Sequence, residues 1–599
     1  MSSQRPMSFM KLWERGRALL FLLVVGLPAL SYPLSWLPRS WAHFRFSVAV
    51  PWPEVVLAAI LLVSVGVVLR ERDAGETEGS GVAWDLVPRS LLFPVLAVMA
   101  SGVVSTRFSE HSHFGLTLLP QLVGNLAIFL LAAHVSRPHM AKLCQWWIIV
   151  AVIVGANGLL RLRSEPEFIS TLGNWDFLGA YLAASVIMAL SIGGWWRFLG
   201  TLVLLSAMWF CRSRGAWLAL GGTGVLYFLG CGNRFLRRWQ ARAIVTLLLL
   251  ATAGLLARPY ILRQWQTDVR PMIWKATLRM IAARPILGHG LGSYVAEYPR
   301  YRLPQYFLRP KATNVTDHAH NELLEIAAEQ GVVGLAATLW LWAATLWCGI
   351  RACQQSAGTD RRVMIGLLGA TLVLMFHGLV DVDLRHLPNE SLLWLLMGLL
   401  VRADLTPGQA RAMSLSKPVR WCAAAACLAL GIWCVMTAVV RPIMADWRDR
   451  EARIAEEDGD FQGAVQFTAD ALRLQPFRLS TRYLLAGVLS RLPDAQGRDA
   501  AIDQCLWIEE LAPDYAEVTY NLGQLYLAAN RAPEAFPYFR RAVEINPYDA
   551  NRHVALAMAL HGIGRDDEAV SQLDRALQLQ PNLPGTQELR QELRKEHAR

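Results

Sequence analysis

The feature that most limits what this chain can become is a succession of apolar runs, each long enough to cross a bilayer. A hydrocarbon core takes about 20 apolar residues per helix, and on that rule about thirteen spans fit. They lie near 18–37, 50–69, 87–104, 114–134, 143–160, 177–194, 196–211, 215–231, 243–257, 323–350, 362–381, 390–402 and 420–440. With 599 residues, 54% hydrophobic and 18% charged, the chain is too apolar for a string of soluble domains. Arg15 and Arg17 ahead of the first run resemble the start of a signal peptide, but no small-x-small site follows and Trp36, Pro38 and Arg39 come next. That run is read as an uncleaved span, with residues 1–17 a cytoplasmic tail.

Positive charge orients the bundle. Placing Arg5, Lys11, Arg15 and Arg17 in the cytoplasm puts Arg137 and Lys142, Arg234 to Arg242, Arg351 to Arg362, and Arg402 to Arg420 on the same side. Parity then sends Arg212 and Arg214, the loop 258–322, the turn Asp381-Val382-Asp383 and everything beyond 441 to the opposite face, the periplasm in a cell with two membranes. The net charge of +11 comes from these short clusters and not from a basic stripe, so no nucleic-acid partner is expected. Nine Cys are scattered without a CxxC pair, and neither a disulfide framework nor a zinc site can be read from them.

Beyond about Asp446 the chain turns charged and Ala-rich and begins to repeat. Pro513, Pro547 and Pro581 are spaced by 34 residues, and Pro476 precedes them by 37. Leu522, Gly523, Tyr526, Ala535, Phe539 and Ala542 in one unit answer to Leu556, Ala557, Leu560, Ala569, Leu573 and Ala576 in the next. This pattern resembles the tetratricopeptide repeat, whose concave face suits protein partners. A rigid spacer is the plainer alternative. The expected fold is all-α: a polytopic bundle over 18–442, including the large loop 258–322, and an α-solenoid over 446–599.

The loop 258–322 is too long for a passive connector. Within it Asp268 can cap a short helix, Pro271 suits its first turn, Ile273, Thr277, Met280 and Ile281 share a face, and Pro285 stops it. The string from Pro285 through Gly288, Gly290 and Gly292 mimics a phosphate loop. It has no preceding strand, so a tight turn against the membrane is the better reading. Asp317-His318-Ala319-His320-Asn321 then sets two imidazoles at a lipid-water boundary where aromatic and basic anchors are usual.

Taken in order, Ser213-Arg214-Gly215-Ala216, Arg270 with Trp274, the Pro-x-x-Gly-x-Gly-x-Gly string, His318-x-His320-Asn321, Gly331 and Gly334 resemble the O-antigen ligase and Wzy-type polymerase superfamily. The likeness covers about 175–400 in detail. Leu335 stands where a Thr often follows the second Gly, and the extra span and the repeats depart from the lipopolysaccharide ligases. The resemblance implies transfer of a glycan from an undecaprenyl diphosphate carrier onto a glycan, lipid or protein acceptor, with no metal and no cofactor. Guanidinium groups suit a departing diphosphate, which assigns Arg214 and Arg270 to it with Arg212 in reserve; snorkelling is the alternative for Arg212 and Arg214. His320 is the expected general base, in the first turn of a helix capped by Thr316 or Asp317. Without the resemblance, the residues alone leave His318 and His320 open for that role. Asn321 can orient a ring or bind sugar, and His377, Asp381, Asp383 and His386 can line an acceptor cleft; Asp381 and Asp383 can equally cap the turn. A metal-dependent hydrolase and a non-catalytic transporter or scaffold presenting the repeats are the rival classes. The first lacks a His-Glu-x-x-His pattern, the second lacks intramembrane charge in spans such as 243–257.

Overall fold

The computed structural model describes residues 89–133, 135, 137–162, 170, 172, 174–192, 196–230, 267–385, 387–404 and 417–597. The tail 1–17, the spans 18–37, 50–69 and 243–257, and His386 lie outside the described residues. Every element among the described residues is helical. The bundle comprises α1 (Arg89–Arg107), α2 (Ser112–Ala132), α3 (Arg137–Arg161), α4 (Trp175–Ile192), α5 (Trp196–Cys211), α6 (Arg214–Gly230), α9 (Glu322–Gln355), α10 (Gly358–His377), α11 (Leu387–Asp404) and α12 (Lys417–Val435). Between α6 and α9 the large loop contributes α7 (Arg270–Ala283) and the single turn α8 (Tyr294–Glu297). Four helices are long and apolar enough to cross a membrane by length and composition: α2, α4, α9 and most of α3.

α4 lies at the centre, buried against α5, α6 and α10. α1 packs on α9, and α2 packs on α11. Outward positions such as Phe198, Leu202 and Trp209 on α5 are left for lipid. Asn125 Nδ2 donates to Glu390 Oε1 at 2.7 Å and Gln121 donates to the other oxygen, so a polar clamp joins α2 to α11 where both backbones are already satisfied.

α9 is broken at Gly331, whose φ of 65° and ψ of −166° fall in a region essentially closed to other residues. In lipid an unpaired backbone group costs several kcal/mol, so a break needs a partner. The glycine string supplies it. Val332 N donates to Pro285 O at 2.8 Å, while His289 N and Gly290 N donate back to Ala328 O and Glu329 O at 3.0 and 2.8 Å. A Cβ on Gly331 would sit 2.1 Å from Ile286 O, and one on Gly288 would sit 2.3 Å from Glu329 C, so both must be glycine. The string is thus a tight turn, as expected, but its support is the broken helix itself.

α12 continues through a π-helical turn, Met436–Val440, into α13 (Arg441–Glu457). Pro442 explains the bulge: it has no N–H to give and its ring crowds the carbonyl one turn back. Helix pairs follow: α13 with α14 (Phe461–Leu474), α15 (Leu479–Ser490) with α16 (Ala495–Leu511), α17 (Val518–Ala528) with α18 (Ala532–Ile545), and α19 (Ala550–Gly562) with α20 (Asp566–Leu579). α21 (Thr586–His597) closes the stack. The small residues of the repeat lie where helices touch: a Cβ on Gly523 would meet Phe539 Cδ1 at 2.7 Å, and Leu522, Ala535, Phe539 and Ala542 are fully buried.

The repeats do not stand clear of the bundle. His113 at the head of α2 stacks on Phe477 at 4.2 Å, and Ala296 shares the repeats' apolar core. Arg302 sits in a cage of Tyr298, Tyr306 and Phe307 and faces Asp514 at 3.8 Å, both side chains buried. Arg552, from the first helix of its unit, lies 5.9 Å from the Phe307 ring. The large loop therefore occupies part of the surface expected to meet partners.

Candidate active site

Five segments converge on one point: the first turn of α4, the junction of α5 and α6, the head of α7, the turn before α9 and the turn after α10. The junction exists because Arg212 takes a left-handed φ of 55°, which ends α5, and Ser213 accepts a hydrogen bond from Ala216 N at 3.3 Å, which starts α6. Gly215 has no side chain because His377 Nε2 would lie 3.0 Å from its Cβ. Arg212 and Arg214 are exposed, with no ion pair among the described residues.

α7 begins as its sequence requires. Pro271 is in the first turn, Asp268 Oδ1 accepts from Arg270 N at 2.9 Å, and Ile273, Thr277 and Met280 are buried. This aims Arg270 at the far turn, where its Nη2 donates to Asp381 Oδ2 at 2.8 Å and lies 3.8 Å from Asp176 Oδ2. One turn on, Trp274 Nε1 donates to Ala319 O at 2.9 Å. Glu325 holds Ala319 from the other side, accepting from its N–H at 2.8 Å.

Pinned at Ala319, the turn sends its two imidazoles apart. His320, at φ 51°, faces Asp381, with Nδ1 3.1 Å from Oδ1; His318 faces Glu325, with Nδ1 2.8 Å from Oε1. Burial alone would raise the Asp381 carboxyl; the hydrogen bond from His320 and the Arg270 charge outweigh it and hold the group well below the usual carboxylate range. An ionised Asp381 only accepts, so Nδ1 of His320 carries the proton and Nε2 of the neutral ring is free to accept one.

Several expectations are corrected. α9 starts at Glu322 with Asn321 as its cap, so His320 precedes the helix, and Thr316 and Asp317 do not cap it. Asn321 uses both ends of its amide: Oδ1 accepts from Leu324 N at 3.0 Å and Nδ2 donates to Leu379 O at 2.7 Å. These bonds brace α9 against the turn after α10. Asp383 does not line a cleft, because it is fully buried and faces His377 Nδ1 at 2.9 Å, in charge contact without hydrogen-bond alignment. Asp381 sits beyond the end of α10 and not in a span.

Asp176 is the residue that sequence reasoning passed over. It lies in the first turn of α4, Trp175 Nε1 donates to its Oδ2 at 3.0 Å, and an acid opening so apolar a helix was the available signal. Asp176, His377 and Asp381 place ligand atoms within 4.8 Å of one another and could hold a cation; so could Glu110, His111 and Glu297.

Fold and site together define a multi-pass, all-α membrane protein with a His–Asp–Arg centre and a C-terminal helical repeat. Residues 199–339 match the family model described as O-antigen ligase, and residues 526–593 match a tetratricopeptide repeat. The first match spans Arg214, Arg270, His318 and His320 but stops short of Asp381. No curated protein matches the chain. Among solved structures, a MamA RS-1 double mutant is 18% identical over 26% of this chain and 85% of its own, with a TM-score of 0.25. A tetratricopeptide protein of Thermus thermophilus is 17% identical over 29% and 91%, with a TM-score of 0.21. Likenesses this slight carry no argument about what the chain does.

Proposed function

We propose that the protein is a glycosyltransferase of the bilayer's outer face, moving an undecaprenyl-diphosphate-linked oligosaccharide or polysaccharide onto an acceptor hydroxyl. In a bacterial cell the membrane is the cytoplasmic one, with the large loop and the repeats periplasmic. The observation that carries this reading is the Asp381 carboxylate, which joins His320 Nδ1 at 3.1 Å to Arg270 Nη2 at 2.8 Å. One buried acid thereby fixes the tautomer of a base and the position of a phosphate-matching fork.

In the step, the acceptor O–H gives its proton to His320 Nε2 as the oxygen bonds to the anomeric carbon. The bond from that carbon to the diphosphate oxygen breaks, and the leaving group keeps the electron pair. In-line displacement inverts the anomeric centre. Arg270 and Arg214 neutralise the departing diphosphate, with Arg212 beside them. Base assistance of this kind contributes roughly 10² to 10⁴ in rate. Ligation, polymerisation and protein glycosylation share the step and differ only in the acceptor. A second reading, a divalent cation on Asp176, His377 and Asp381, is favoured by their spacing alone.

Purified protein in proteoliposomes, given an undecaprenyl diphosphate oligosaccharide, candidate acceptors and a chelator, tests both. Transfer should persist in chelator, vanish in His320→Ala and fall steeply in Arg214→Ala and Arg270→Ala. Normal turnover in all three variants removes the assignment, and loss in chelator that added cation restores moves the chemistry to the metal reading.

A further inference from the structure

The turn 318–320 has a second side. Opposite the arginines, a cavity of about 360 Å³ opens between α1, α2, α9 and α11, with His318 and Asp317 on its wall. Its size falls in the range of small-ligand sites, roughly 300–1,000 Å³. The polar end is built around Arg385, whose Nε lies 3.1 Å from Glu322 and whose Nη1 lies 3.0 Å from Glu329. Glu325 and Glu390 add two more carboxyl groups, so with Asp317 five acids face one guanidinium and one imidazole. That lining repels a diphosphate. The deeper end is walled by Trp342 and Trp394.

Gln330 says what is missing. It is 7% exposed and lines the cavity; its Oε1 accepts from Ser101 Oγ at 2.8 Å, and its Nε2 has no partner among the described residues. An amide donor on a cavity wall suits an acceptor oxygen of a ligand. A ligand for the whole cavity therefore offers one acceptor to Gln330, hydroxyl donors to the carboxyl groups, C–H faces to two indoles and no negative charge. Uncharged sugars have that chemistry.

We propose that this cavity binds an uncharged glycosyl residue of the acceptor, so that the turn 318–320 divides a basic donor side from an acidic acceptor side. The proposal rests on the transferase reading for the word acceptor, but not for the binding. Full-length His320→Ala protein in nanodiscs, which cannot turn over, is mixed with maltotetraose, chitotetraose or an anionic hyaluronan tetrasaccharide and followed by saturation-transfer NMR. A neutral probe should bind and the anionic one should not. Gln330→Leu and Trp342→Ala should each weaken the neutral probe about tenfold. Thermal unfolding separates lost binding from lost fold. Binding of neither neutral probe, equal binding of the anionic one, or parental binding in both Gln330→Leu and Trp342→Ala overturns the proposal. Lipid-diphosphate transfer, scored separately in the parent protein, distinguishes the two failures: transfer without neutral-sugar binding sinks only the cavity, and binding without transfer sinks only the transferase.

Discussion

The repeat stack and the site-bearing face of the bundle solve opposite problems. In the repeats, buried small residues such as Ala535, Ala557 and Ala569 let helices approach, and the same contact recurs unit after unit. At the site-bearing face the backbone is irregular wherever a candidate functional side chain is aimed. Arg212 and His320 are left-handed, and α9 breaks at Gly331 so that the loop bearing Leu291 and Gly292 can dock. Left-handed non-glycine residues cost about 1–3 kcal/mol each and persist only where surrounding contacts over-determine them. His320 meets that condition through Trp274, Glu325 and Asp381. In the stack, Asp514, Ala516 and Glu517 are left-handed where the repeats meet the large loop, while Asn530 is left-handed at the turn after α17. Substitutions in the two regions should accordingly separate turnover from stability.

The largest effect is expected at Asp381→Asn. The isosteric amide keeps the volume but can donate to His320 Nδ1, favouring the tautomer whose Nε2 bears the proton. Transfer should fall roughly 10² to 10⁴-fold, with the unfolding midpoint moving far less. A variant that unfolds in step with its loss of activity would make Asp381 a structural acid and erase the contrast.

Phe539→Ala is the counterpart in the stack. Its ring is fully buried against Gly523, and removing it should cost roughly 3–5 kcal/mol. Because each repeat touches only its neighbours, limited proteolysis should open sites in α17 and α18 before any in the bundle. Transfer should drop less than in Asp381→Asn. Equal losses would mean that the repeats shape the catalytic turn directly.

The same contrast explains what could be read along the chain. Prolines 34 residues apart carry the repeat in local form, and Leu522, Phe539 and Leu573 are buried where that period puts them. Ten of the thirteen apolar runs coincide with described helices, and His320 and Arg270 do meet. Their connector did not announce itself, because Asp381 lies 61 residues from His320 and 111 from Arg270, and an acid in a turn reads equally as a cap. Asn321 shows the reverse case: its amide suits a ring or a sugar, and only the fold reveals the brace to Leu324 and Leu379. The glycine string was legible as a turn, but its partner was not, since the break at Gly331 has no meaning until the loop lies against it.

A smaller effect is expected where the two regions touch. Arg302→Ala removes from buried Asp514 the guanidinium that faces it at 3.8 Å, a cost of about 1–3 kcal/mol. Hydrogen exchange in 298–309 should rise and transfer should fall by a few-fold. Unchanged exchange would show that Phe307 and Arg552 hold the loop without this pair.

The smallest effect concerns the other face of the catalytic turn. Burial lowers the His318 pKa, but Glu325 at 2.8 Å more than reverses it, so the folded ring titrates above its usual value near 6.5. A raised folded pKa means that the contribution is complete below about 6.5 and is lost as pH rises through the folded value. With the ring 39% exposed, solvent screens the pair and the loss is slight. Thermal unfolding of the parent should weaken across neutral to mildly alkaline pH, and His318→Gln should flatten that slope while leaving the His320–Asp381 contact in place. A slope of the opposite sign, stability rising through this window, would mean that burial prevails over Glu325 and that His318 is neutral in the fold. The acidic chamber would then lack the one cation that its outer turn supplies, and only Arg385 would oppose its carboxyl groups.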